Sequence, residues 1–90
     1  MGRYRKIPVE IEAVRFDGTN VGEMLAFTDG RFMAVDVEDR GDDPEIVAAV
    51  FDVLHSTWIG VKIGQWIIRG IQGEFYPCDP DVFTATYEAV

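Results

Sequence analysis

The chain has 90 residues, 48% of them hydrophobic and 27% charged, with a formal net charge of −8. That length predicts one small domain with a single core, and no apolar run approaches the roughly 20 residues needed to span a bilayer. The acidic balance argues against generic binding to phosphate backbones or anionic membrane surfaces, because self-repulsion opposes both.

The acids concentrate in residues 36–45 and at Asp79 and Asp81, while Arg3, Arg5 and Lys6 cluster at the N-terminus. A nucleic-acid mimic would space carboxylates along one face, and no such ladder is present, so the charge reads as solubility. A single cysteine makes no internal disulfide, which suits a reducing, cytosolic setting. No signal peptide is recognised. Met1-Gly2 opens like a myristoylation site, but Lys6 stands where Ser or Thr is required.

Residues 7–13 alternate, with Ile7, Val9, Ile11 and Ala13 on one side, and predict a half-buried strand with Pro8 at a sheet edge. The phase slips at Ala13-Val14, which predicts a bulge or burial of both faces at the strand end. Asp17-Gly18 turns the chain. Asn20 with Glu23 predicts a reciprocal helix cap. Val21, Met24, Leu25 and Thr28 then give one apolar face over about two turns, ended by Asp29-Gly30. Residues 31–37 predict a strand with Met33, Val35 and Val37 on one face. Residues 38–44 form a flexible acidic loop.

Residues 45–54 are ambiguous. Asp43-Pro44-Glu45 resembles a helix start, but Val47, Val50, Phe51 and Val53 favour a strand buried on both faces, and the strand is chosen. A meander follows: a turn at His55–Thr57, a strand at Trp58–Val61, a turn at Ile63-Gly64, a strand at Trp66–Arg69, a glycine-bounded turn to Gly73 and a strand at Glu74–Tyr76. Asp79-Pro80-Asp81 caps a short helix over residues 80–85. The expected fold is α+β: an antiparallel sheet of five to six strands, one short helix on a face and a C-terminal helical turn.

Two blocks carry a resemblance. The opening Tyr4-Arg5-Lys6-Ile7-Pro8-Val9-Glu10-Ile11-Glu12-Ala13-Val14 is similar to that of small proteins of tailed phages and prophages, which typically begin Tyr-Arg-Lys-Lys-Pro-Val-Val-Ile-Glu-Ala-Val. The block Gly64-Gln65-Trp66-Ile67-Ile68-Arg69-Gly70-Ile71-Gln72-Gly73-Glu74-Phe75-Tyr76-Pro77-Cys78-Asp79-Pro80-Asp81-Val82-Phe83 resembles the same group's ending, in which Gly-Asp-Trp-Ile-Ile-Lys-Gly-Val-x-Gly-Glu-Phe-Tyr-Pro-Cys-Lys-Pro-Asp-Ile-Phe is common. Gln65 replaces the usual Asp, Ile63 the usual Pro and Asp79 the usual Lys. The resemblance implies a phage accessory or host-directed role in the cytoplasm of an infected bacterium, and no particular reaction.

Candidate chemistry is thin. Cys78 before Asp79-Pro80, with His55 as base, would make a cysteine-dependent enzyme, but Asp79 opposes thiolate formation. No spacing matches a zinc site, so no metal or cofactor is expected. Glu74, Asp79 and Asp81 could pair as carboxylates, yet Asp79 and Asp81 suit a cap and a first helical turn better. Gly60, Gly64, Gly70 and Gly73 lack phosphate-cradle spacing and punctuate hairpins.

The surplus is aromatic. Trp66 and Ile68 share a strand face opposite Ile67, and Phe75 and Tyr76 point opposite ways. The extra rings either close a second minor core under the C-terminal element or form an exposed patch. The expectation is a non-enzymatic protein that binds a host or phage protein or forms a homodimer, without nucleic acid or membrane partners. The binding candidates are Trp58, Trp66, Arg69, Glu74, Tyr76, Asp79, Asp81 and Tyr87. The alternative is a protein that sequesters a metabolite or nucleotide, with Trp58, Trp66 and Arg69 as stacking and charge contacts.

Overall fold

Turn chemistry divides the C-terminal half into strands. Gly64 (φ 95°) and Gly73 (φ 81°) adopt backbone angles that L side chains rarely reach, and they lie in the turns before and after the same strand. In the computed structural model, residues 1–5 and 7–90 are described, and Lys6 of the basic N-terminal cluster lies outside them. The elements are β1 (Glu12–Arg15), α1 (Val21–Phe27), β2 (Phe32–Ala34), a 3-10 turn (Val37–Asp39), β3 (Ile46–Asp52), β4 (Thr57–Lys62), β5 (Trp66–Arg69), β6 (Phe75–Cys78) and α2 (Pro80–Thr86).

The fold is α+β, as expected. Its strands form two three-stranded antiparallel sheets, ordered β1-β5-β6 and β2-β3-β4. The ambiguous segment is a strand: β3 is central in its sheet, with Ala48, Ala49, Val50 and Asp52 buried.

One core joins the two sheets. Val50 and Val61 from one sheet meet Ile67 and Phe75 from the other, with Phe16, Met24, Phe32 and Ala48 in the same cluster. Phe16 and Phe32 pack edge to face at 5.1 Å, and Phe27 does the same with Phe75 at 5.6 Å. Helix α1 supplies Met24 to this core. The buried Thr28 hydroxyl donates to the Met24 carbonyl at 2.8 Å, so its polar atom enters the apolar interior satisfied.

The structure corrects several sequence expectations. The first strand begins at Glu12, not at residue 7, because its partner β5 ends at Arg69 opposite Glu12 and Gly70 then turns away. Beyond that point residues 7–11 join no ladder among the described residues. Val14 and Phe16 pack in the core, so the later apolar phase governs. The Asn20 side chain caps no helix N–H. It donates to the Arg15 carbonyl and to Glu23 Oε1, both at 2.8 Å, and accepts from the Asp17 N–H. Leu25 is exposed, off the buried face of α1. Strand β2 ends at Ala34, since Val37 enters the 3-10 turn. Arg40 Nε donates to the Val35 carbonyl, and Lys62 bridges Asp43 at 3.6 Å and Glu45 at 3.4 Å. Those contacts link Arg40 and Asp43 of the acidic loop to residues outside it.

Candidate functional site

The predicted binding residues divide between two surfaces. On the β1-β5-β6 sheet, cross-strand pairing places Ala13, Trp66, Ile68, Tyr76 and Cys78 on the face away from the main core. Helix α2 covers this face. Phe83 stacks on Trp66, with ring centroids 4.2 Å apart and planes 6° from parallel, and Tyr87 lies 5.1 Å from Phe83. Ile68 is fully buried beneath, although it belongs to the opposite face from Ile67. The Tyr76 phenol is pushed up to about 12, first by burial and then by the neighbouring Tyr87 phenol. These aromatics therefore build the second minor core.

Two acids near this core have structural partners. The Asp79 side chain does not cap α2. It accepts from Gln65 Nε2 at 2.8 Å, while Gln65 Oε1 accepts from the Lys62 N–H, which ties the β4–β5 turn to the start of α2. Asp81 occupies the exposed first turn of α2. Glu74 packs against Gly70 and accepts from the Gln72 N–H inside its own turn.

Arg69 is on the other face of β5 from Trp66. Its guanidinium lies over Phe27 at 5.2 Å and Phe75 at 5.3 Å, donates to the Phe27 carbonyl at 2.8 Å and pairs with Glu12 at 3.5 Å. Trp58 stands on the other sheet. The trio expected to grip a small ligand is thus not brought together.

The second surface is the outer face of β2-β3-β4. Met33 pairs with Ala49, Ala49 with Gly60, and Phe51 with Trp58, which sets all five on one side. Ile46 lies across Gly60, close enough that an added methyl there would press on its side chain at 2.9 Å. Trp58 is 47% exposed and Met33 46%, and the Phe51 and Trp58 rings meet edge to face at 5.3 Å. Both helices pack elsewhere, α1 in the main core and α2 on Trp66. Leu54, at the hairpin tip beyond β3, is also exposed.

Trp58 was legible as a binding candidate without its face, and Met33 and Phe51 beside it were missed, because β3 was expected to be buried on both sides. Asp52 was also missed. This carboxylate is 7% exposed, accepts from the Leu54 and His55 N–H groups and sits 2.6 Å from His55 Nδ1. The hydrogen bond with the His55 side chain lowers its pKa against the effect of burial. The signal was a strand-ending Asp before a turn, whose side chain commonly accepts from the following backbone.

Cys78 follows Pro77 in β6, and its thiol is pushed up first by burial and then by the Asp79 carboxylate. Its Sγ lies 3.6 Å from the Asp79 carbonyl. Among the described residues no group of three or more His, Cys, Asp or Glu side chains is placed to hold a metal ion, and no helix is long and apolar enough to cross a membrane. No family model, curated protein or solved structure matches the chain.

Proposed function

We propose that this is a non-enzymatic accessory protein of a tailed phage or prophage that works in the infected bacterial cytoplasm by binding a host or phage protein. The observation that carries the reading is the outer face of β2-β3-β4. Apolar side chains that are contiguous, half-exposed and uncovered by a helix mark an interaction surface, and the large aromatic Trp58 is a residue type that anchors such contacts.

Two further observations support it. An elevated thiol pKa lowers the thiolate fraction that a nucleophilic Cys78 would need. The departures from the phage pattern at positions 65 and 79 are also physically coupled. Gln65 donates to Asp79, and the Asp and Lys usual at these two positions in that group are of opposite charge. Such paired replacement suits a chain that shares that group's fold at this point.

The test is affinity capture from lysate of a phage-infected bacterium with the wild-type chain and with Trp58→Ala and Met33→Asp variants. The reading expects one stoichiometric protein that the wild type retains and both folded variants lose. Capture of a small metabolite alone would replace this reading with sequestration.

A further inference from the structure

Residues 7–11 carry the patterning of a strand and pair with no strand among the described residues. Ile7 and Val9 alternate with Pro8 and Glu10 but are 76% and 50% exposed. The run leads directly into β1, which among the described residues pairs only with β5, so no described strand covers the outer edge of β1. An open edge continued by an unpaired alternating segment is a template for another strand.

A groove of about 680 Å³ lies at the same place, lined by residues 8–11, by residues 86–90 and by Ala13, Trp66 and Phe83. Among the described residues, its charged lining side chains are Glu10 and Glu88. The arm that precedes it carries Arg3 and Arg5, whereas every acid of the chain lies at Glu10 or later. Arm and groove are therefore complementary in charge as well as in apolar character.

We propose that the occupant of this groove is a second copy of the chain, the residue 7–11 segments of two copies pairing antiparallel about a twofold axis. The groove is built partly from the arm itself. An occupant that pairs with the arm meets the same surface in return when it is another arm, which is the condition for a closed, symmetric dimer. Five residues suffice for a strand of ordinary length. The pairing covers Ile7 and Val9 and carries each sheet edge into its twin. Pro8 lacks an N–H and is tolerated in a strand at such an edge.

The experiment is the native mass, by light scattering at micromolar concentration, of the wild-type chain and of Val9→Asp, Ile7→Asp and Trp58→Ala variants. Circular dichroism would confirm that each is folded. Ile7 and Val9 are exposed in the single chain, so the arm variants fold whether or not they dimerise. The inference expects twice the 10.1 kDa chain mass for wild type and Trp58→Ala, and the single-chain mass for both arm variants. A monomeric wild type overturns it, including one whose arm folds back into its own groove. So does a dimer that survives both arm substitutions. The inference does not rest on the Trp58 face, and a failure here leaves the capture experiment to decide the protein-binding reading.

Discussion

Tyr76 and Asp52 give this protein two pH limits of opposite sign. Burial raises the Tyr76 phenol from 10.0 to about 12. The stability this contributes is complete below pH 10.0 and is lost as pH rises toward 12, where the folded state must charge a group it holds neutral. An ultraviolet titration should show one of the three tyrosines ionising late, with the thermal midpoint falling over the same interval. The absence of any tyrosine fraction ionising toward pH 12 would contradict the packed second core. The Asp52 carboxyl runs the other way. His55 holds it below its ordinary 3.8, so its contribution is present at neutral pH and is lost in acid below that value. Asp52→Asn should lower the thermal midpoint at neutral pH and flatten its fall in acid, because the titrating group is gone. An unchanged acid limb would place that loss on other carboxylates.

Helix α2 is seven residues long, too short to persist alone in water, so packing must hold it. Trp66 and Phe83 are the pair that does so. Offset or stacked aromatic pairs contribute about 0.5–1.5 kcal/mol beyond their area burial. A double-mutant cycle on Trp66→Ala and Phe83→Ala should return a coupling energy of that size. Additive losses would mean that α2 docks by other contacts. By contrast, Trp58→Ala at the half-exposed edge-to-face pair with Phe51 should cost about 1 kcal/mol in a denaturant melt and leave the fold intact.

Much of this level was legible in the sequence. Glycine-bounded turns and alternating faces placed β4, β5, β6 and α2 within a residue or two and separated Ile67 from Trp66 and Ile68, while the side that faces the core came only with the fold. What the pattern could not give was pairing. Residues 7–11 alternate as a strand should, yet the ladder stops where β5 stops. The Trp58 face was hidden for the same reason, because whether Phe51 points into a core depends on which element covers it. Asp79 looked like a cap by spacing, while its partner Gln65 stands fourteen residues away in a turn brought close by the fold.

At the scale of the molecule, stability rests on one core shared by both sheets. Phe75 is 2% exposed in that core, packs on Phe27 and lies under the Arg69 guanidinium, and Phe75→Ala should cost about 3–5 kcal/mol. A domain this small has little reserve, so the variant should be largely unfolded at elevated temperature. Among the apolar features of the described residues that this core leaves uncovered are the Trp58 face and the N-terminal arm. The account assigns the first to a foreign protein and the second to a twin, and the claim at its centre is the first. The most direct measurement is capture from infected-cell lysate with wild type, Trp58→Ala and Val9→Asp in parallel, each verified as folded. The account predicts one stoichiometric protein held by the wild type and by Val9→Asp and lost with Trp58→Ala. The same protein held equally by all three would contradict it, because the exposed aromatic face would then take no part in binding.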